Sequence, residues 1–322
     1  MRIFVAVVSA AMLFIAGSQA QAQQYPTKPI RIVVPFAPGG IVDTAARIVG
    51  QKLHEAWGQQ VIIDNRPGGN GFIGVQAAAT SPADGYTLLM AHTGEFAINP
   101  AVFQNVPYDL DRDLTPITMV IEAPCVFVVN ANTPYQTFQE LIAAAKAKPG
   151  TIGFSVPGSG TIQHLIVEWA SLVTGAKFLV VPYRGGAPAI TATAGGEVPA
   201  GSAALGSAMS HIQSGRVRVL AVTTGSRSTF NKEWPTLIEA GVPGVQASIW
   251  AGLFAPKGVP QPIIDKINAE VAKILEMDDV KKRFASGGGE TRAMKSAEFG
   301  ALIRREASEF KQIVAKAGVK AE

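Results

Sequence analysis

Cysteine is almost absent from this chain: among 322 residues, Cys125 is the only one. A lone thiol excludes an internal disulfide and any metal site built from several cysteines. Its neighbours, Val126 to Val129, are apolar, which reads as a buried structural residue. Histidine is scarce as well. His54, His92, His164 and His211 stand far apart, without ligand spacing, and no H-E-x-x-H pattern occurs, so no metal site is expected. Charged residues make up only 16% of the chain, and the basic excess is small and scattered. The densest run, Lys281-Lys282-Arg283, sits in a helical pattern and reads as a solvated face. Aromatics do not interleave with basic residues, so there is no nucleic-acid footprint. A hydrophobic content of 48% excludes a disordered chain.

Long apolar runs are also missing, except at the start. Ile3 to about Ala16 is apolar and follows Arg2. At about 14 residues it is short of the roughly 20 needed to span a bilayer. Ala20-Gln21-Ala22 fits the small-x-small cleavage rule, and Ser18-Gln19-Ala20 is a second possible cut. The segment 1–22 therefore reads as the signal peptide of an exported protein rather than as an anchor. Without Arg2 the count is 27 basic against 24 acidic residues, or +3. About 300 residues then remain, too many for one core, and two domains are expected.

From Ile30 onward, short β-branched runs alternate with helical patterns. Strands are expected at Ile30–Val34, Val61–Asp64 and Tyr86–Met90, with helices at Asp43–Trp57 and Phe72–Thr80. The stretch Asn99–Leu114 reads as irregular. A second series has strands at Cys125–Val129, Ile152–Ser155, Phe178–Pro182 and Val217–Thr223, with helices at Phe138–Ala147, Gln163–Thr174 and Ala189–Ala194. A less regular pair lies near Val198 and at Ser207–Gln213. A strand at Ile249–Ala255 and three helical patterns, Pro262–Leu275, Asp279–Ala285 and Ala297–Ala317, close the chain. This alternation implies βαβ units and mainly parallel sheets, an α/β fold. The final helices need a sheet to pack on, and the first domain is the expected host. The layout is then discontinuous: 23–122 plus 247–322 form one domain and 123–246 the other. Crossovers near Glu122 and Ser248 would make a hinge beside a ligand cleft.

What is plentiful is glycine at strand-to-helix turns. Phe36-Ala37-Pro38-Gly39-Gly40 follows the first strand and opens a helix. Backbone N–H groups at a helix start, uncovered by side chains and aided by the helix dipole, form a site for an anion such as a carboxylate. Gly158-Ser159-Gly160-Thr161 and Tyr183-Arg184-Gly185-Gly186-Ala187 repeat the context in the second series. One such loop alone is better explained as a tight turn; three in the same context favour a site beyond the carboxyl ends of the strands. Asp43 would either stabilise the helix start or orient the ligand. Arg184 would either pair with a carboxylate or stay on the surface. Thr93 and Glu95 follow a strand and reach the same region. Glu95 is an odd neighbour for an anion, so it would point away or accept a bond from the ligand.

Other motifs are weaker. Gly69-Asn70-Gly71-Phe72-Ile73-Gly74 matches G-x-G-x-x-G, but Arg66-Pro67-Gly68 lengthens the turn and an exported protein rarely meets a dinucleotide. Its glycines read as turn formers. Gly153-Phe154-Ser155-Val156-Pro157 approaches a nucleophile elbow but lacks the last glycine.

Taken together the residues resemble the tripartite tricarboxylate transporter receptors, the Bug-type solute-binding proteins. Tyr25-Pro26-Thr27-Lys28-Pro29-Ile30 leads into Pro35–Gly40, followed by Asp43 and Ala46-Arg47. The similarity continues in Asn65-Arg66-Pro67-Gly68, Asp84-Gly85-Tyr86-Thr87-Leu88, Ala97-Ile98-Asn99-Pro100, Val181-Pro182-Tyr183-Arg184-Gly185, Leu220–Thr223, Pro235-Thr236 with Glu239-Ala240-Gly241, and Gly252–Pro256. It covers the whole mature chain in order. The resemblance implies a type II-like periplasmic binding fold of two domains that closes on a small organic carboxylate and delivers it to membrane permease subunits. It implies no enzyme activity, no cofactor and no metal. The ligand-binding set expected from loops and resemblance is Phe36, Ala37, Pro38, Gly39, Gly40, Asp43, Thr93, Glu95, Gly158, Ser159, Gly160, Thr161, His164, Tyr183, Arg184, Gly185 and Ala187, in a monomer. Two departures from the family pattern stand out: the small residues Pro199-Ala200-Gly201-Ser202, which would enlarge one side of the cleft, and Gly94-Glu95-Phe96. Two rival readings remain at this stage. One is an exported hydrolase using Ser155 or Ser159 with His164; the other is a sensor that presents its ligand to a membrane kinase.

Overall fold

In the computed structural model, which describes residues 25–319, two α/β series fold into two lobes joined by long shared strands. The expected signal peptide lies outside the described residues. No helix among the described residues is long and apolar enough to cross a membrane.

The first lobe opens with β1 (Ile30–Val34), α1 (Ile41–Trp57), β2 (Val61–Asn65), α2 (Phe72–Ala79) and β3 (Thr87–His92). β1 is parallel to both β2 and β3. α1 forms because its apolar residues recur every three or four positions, and Val42, Ala45, Ala46, Ile48, Val49 and Leu53 are all buried. Each large aliphatic side chain so buried contributes about 1.5–3 kcal/mol. Gly58 ends the helix in the left-handed conformation at φ 68°, its N–H donating to the His54 carbonyl. A single π-type turn, Gly94–Ile98, leads into α3 (Asn99–Val102), and α4 (Leu110–Asp113) follows. The stretch expected to be irregular thus holds two helices of four residues each.

β4 (Leu114–Asn130) is 17 residues long, far longer than the expected strand at Cys125–Val129. Pro116 lies at a register shift and Pro124 at the end of one pairing, which is where a strand tolerates proline. The second lobe continues with α5 (Phe138–Ala147), β5 (Gly153–Val156), α6 (Ile162–Thr174), β6 (Leu179–Pro182), α7 (Gly186–Gly195), β7 (Ala200–Ala204), α8 (Leu205–Gln213) and β8 (Val217–Val222). β5 is parallel to β6 and β7. The chain returns through β9 (Ser248–Pro256), α9 (Gln261–Glu276), α10 (Asp278–Ser286), β10 (Glu290–Thr291) and α11 (Ser296–Ala317).

The outer strands of each lobe are parallel, as expected. The strands that cross between lobes are antiparallel to their neighbours, because the chain leaves on β4 and returns on β9. β4 pairs with β9 from Leu114 to Pro124 and with β7 from Cys125 to Val129. Cys125 is fully buried, and burial pushes its thiol up to about 12, so it is a structural residue.

The closing helix departs from expectation. Phe299 and Ile303 pack in the first lobe with Trp250 and Phe254, but Phe310 and Ile313 lie in the second lobe's core with Phe127, Leu165 and Ile166. α11 therefore straps the lobes together rather than resting on one.

Candidate functional site

The first loop is shaped by Asp43 in the opening turn of α1. Its carboxylate accepts bonds from the Gly39 N–H (2.9 Å), Arg47 Nε (2.9 Å) and Asn65 Nδ2 (2.9 Å). Burial pushes this carboxyl up, but the bonds from Arg47, Gly39 and Asn65 outweigh it and hold the carboxyl below its ordinary value. Asp43 is thus an internal anchor, and the Gly39 amide, expected to be bare, is occupied in this arrangement. Thr44 is the first residue to make a helical bond, to the Gly40 carbonyl. The N–H groups of Gly40, Ile41 and Val42 precede it and have no carbonyl within the helix to meet. Asp43→Ala is expected to cost about 2–3 kcal/mol, since it strands several donors. The contribution is present at neutral pH and is lost as pH falls below the ordinary aspartate range, so denaturant unfolding at pH 7 and pH 3 should show the gap closing.

Phe36 is partly buried against the core under β1, its ring 4.7 Å from that of His92 at the end of β3. Beyond His92, the expected cleft residues turn inward. The Thr93 hydroxyl donates to the Ser248 carbonyl (3.1 Å) and accepts from the Trp250 N–H (2.9 Å), tying β3 to β9. Glu95 is 1% exposed; its Oε2 accepts from the His92 N–H and lies 2.8 Å from His92 Nδ1.

In the second lobe, β5, β6 and the helices after them place two loops side by side. The Gly185 N–H donates to the Pro157 carbonyl (2.8 Å), and a Cβ on Gly158 would lie 3.8 Å from the Tyr183 carbonyl. Thr161 caps α6: its hydroxyl donates to the Gly158 carbonyl and accepts from the His164 N–H. His164 Nδ1 accepts the Gly160 N–H (3.0 Å), so that amide is used as well. Tyr183 donates its hydroxyl to Glu197, while Arg184 and Ala187 are exposed. Ser159 is partly buried. Ser155 is fully buried and shares bonds with the Ala189 carbonyl and the Thr193 hydroxyl, which excludes it as an exposed nucleophile.

The two lobes meet around a cavity of about 320 Å³. Gly39, Ile41 and Thr44 line it from the first lobe, Ile121, Ala123 and Ile249 from the shared strands, and Ala204, Gly206 and Ser207 from the second. Arg283, Phe284 and Gly287 at the end of α10 close one side. The loop Tyr183–Ala187 borders the same place, since a Cβ on Gly186 would lie 2.7 Å from Ser207 Oγ. A larger cavity of about 660 Å³ includes Glu122 and Ser248 in its walls. Successive strand residues point to opposite faces, so this cavity lies behind the hinge, and none of the three glycine loops reaches it.

Of the expected set, Gly39 lines the cavity directly. The second wall, Ala204 to Ser207, escaped the sequence reading because β7 runs into α8 with no glycine-rich loop between them. The expected small residues Ala200, Gly201 and Ser202 are buried inside β7, next to the residues that form the wall.

The chain matches the family described as tripartite tricarboxylate transporter family receptor over residues 45–319. The chain belongs to this receptor family. The match begins just after the first loop, so the reading of Phe36–Gly40 rests on its geometry. Among curated proteins, the chain is 35% identical to protein BugT of Bordetella pertussis, covering 93% of this chain and 92% of that one. Two solved structures resemble it over its length. One is Rpa4515 of R. palustris with adipate, with 32% identity, a TM-score of 0.76 and coverage of 92% of this chain and 99% of that one. The other is MatC of Rhodopseudomonas palustris with bound malate, with 28% identity, a TM-score of 0.71 and coverage of 90% and 100%. The two-domain binding fold is borne out, and the chain is a solute-binding protein of a transport system rather than an enzyme.

Proposed function

We propose that this receptor is exported to the periplasm by residues 1–22, captures a small organic carboxylate in the cavity between its lobes, and hands it to the permease subunits of a tripartite tricarboxylate-type transporter. The observation that carries the reading is the 320 Å³ cavity itself, where the start of α1 and the start of α8 face each other across the shared strands. Its volume is at the small end of the range for ligand sites. Malate and adipate, bound by the two similar proteins, give the chemical class. The donors offered to a carboxylate are the N–H groups of Gly40, Ile41 and Val42. Each charge-assisted bond contributes about 1.5–3 kcal/mol, and micromolar binding needs about 8 kcal/mol, so a few such bonds with apolar contact from Ile121 and Ile249 suffice.

The lobes are taken as 23–122 plus 247–322 and 123–246, because β4 changes partner between Pro124 and Cys125 and β9 begins at Ser248. The working unit is taken as a monomer, since both walls of the cavity come from one chain. The wider loop set, from Phe36 to Ala187, remains the proposed lining of the cleft, with Asp43, Thr93 and Glu95 acting behind it rather than on the ligand.

The test is a thermal-shift titration of the mature protein with mono- and dicarboxylates, adipate and malate included, after native mass spectrometry has shown it to be empty. A ligand at one hundred times its Kd should stabilise by about 2.7 kcal/mol. An empty protein that shifts with none of the acids overturns the proposal.

A further inference from the structure

His92, Gly94 and Glu95 form a proton-sensitive cluster at the carboxyl end of β3, beside the first loop. His92 Nδ1 has two close neighbours of opposite kind: the Gly94 N–H at 2.9 Å and Glu95 Oε2 at 2.8 Å. One ring nitrogen cannot serve both. Accepting from Gly94 needs a bare lone pair, whereas donating to Glu95 needs a proton. Glu95 is buried at 1% exposure, and a carboxylate there needs a charged partner. About a quarter of the His92 side chain, 26%, stays exposed. Nδ1 is turned to Glu95, so Nε2 is the ring nitrogen that Glu95 does not engage. The ring centre lies 4.7 Å from that of Phe36, on the loop whose Gly39 lines the cavity.

We propose that His92 is a specificity-determining donor of the cleft: Glu95 holds its ring protonated, and its Nε2–H faces a carboxylate of the ligand. This rests on the reading of the cleft as a carboxylate site. Because the His92–Glu95 pair is neutral overall, it acts through direction, offering a polarised N–H, rather than through free charge. Burial pulls the imidazole down, but the charge and the bond of Glu95 outweigh it and raise its pKa above the ordinary histidine value. Nearby ionisable groups are engaged elsewhere, including Glu306 of α11, the helix packed on the turn that holds Glu95, whose carboxyl accepts from Trp250. Asp43 and Arg47 of α1 bond each other, and Tyr108 donates its hydroxyl to the Glu95 main-chain carbonyl. On β9 the residue paired with His92 is Ala251, which does not titrate, and the β1–β3 pairing ends before His92, at Val33 and Leu89.

Two measurements on the full mature protein test this. Nitrogen NMR of labelled histidines, with His92 assigned through the His92→Gln variant, follows the ring from pH 5 to pH 9 without ligand. His92 should titrate above an ordinary histidine and move down in Glu95→Gln. A His92 ring that is neutral at Nδ1 across this range overturns the proposal whatever the ligand proves to be. Adipate is then titrated at pH 6.5 and pH 9, where it stays ionised. Affinity should fall about tenfold in the wild type and stay flat in His92→Gln. An equal fall in both proteins overturns the role of His92. If adipate and the other acids bind at neither pH, the carboxylate reading fails, and with it the ligand role of His92, while the NMR arm still decides its protonation.

Discussion

Gly206→Ala is expected to weaken carboxylate binding about tenfold while leaving the melting temperature of the empty protein unchanged or slightly higher. Gly206 sits in the first turn of α8, and its Cα faces the end of α10. A Cβ there would fall inside contact distance of the Gly287 carbonyl, and a Cβ on Gly288 would lie 2.5 Å from the Gly206 nitrogen. The lobes therefore touch main chain to main chain at the rim of the cavity, an approach that only glycine permits on both sides. One added methyl needs a shift that costs about 1–3 kcal/mol when the surroundings must give. If capture proceeds by closure, as proposed, the empty protein breaks this approach on opening, and the cost of the methyl falls on the closed form. That difference translates into a loss of affinity of about five- to 150-fold. Replacing glycine in a helix also recovers up to about 1 kcal/mol in both forms, which protects the fold. Calorimetric titration gives the affinity, and small-angle scattering with saturating ligand gives the lobe separation. An unchanged Kd with an unchanged radius of gyration would show that the bound form does not use this approach.

The contact also explains what could and could not be read from the residues alone. The β1–α1 loop was legible because its glycines, its strand and its helix are contiguous. The wall formed by Ala204 to Ser207 was not, because nothing in its composition distinguishes a helix start at a cleft from any other turn. Gly74, which completed a G-x-G-x-x-G pattern, illustrates a spatial role hidden in a familiar spacing. A Cβ on it would lie 2.6 Å from Pro35 Cα, so this glycine lets α2 pack on the end of β1 and sets the exit of the first loop. Glu95 beside an anion site looked unfavourable because its partner could not be seen. The turn at Gly94 brings its carboxylate onto His92, three residues earlier. The host of α11 was also out of reach. Phe299, Ile303, Phe310 and Ile313 follow a single apolar stripe of a helix that is 22 residues long. At 1.5 Å per residue it extends about 33 Å, enough to serve two cores, and a stripe carries no label saying where one core ends.

That strap carries the titration with the largest expected effect. Glu306 on α11 is 4% exposed, and its Oε2 accepts from the indole N–H of Trp250 at 2.7 Å. Burial is the main cause that raises its carboxyl to about 7; the Trp250 bond and Arg305 pull the other way without prevailing. Because the folded pKa lies above the unfolded one, the native state holds this proton more tightly. The stability that this confers is fully present below the ordinary glutamate value and is lost as pH rises through about 7. The loss amounts to about 3 kcal/mol. Glu306→Gln keeps an acceptor for Trp250 but has no proton to lose. It should therefore match the wild type at pH 4.5 and melt several degrees higher at pH 8. The competing effect is the charge-assisted bond that an ionised Glu306 makes to the indole, which would be worth more than its neutral counterpart. If that bond dominates, the variant melts lower at pH 8, and scanning calorimetry at the two pH values separates the cases by sign. Trp250 lies on β9, which also receives Thr93, so the protonation of one carboxyl bears on the strand by which the chain returns from the second lobe.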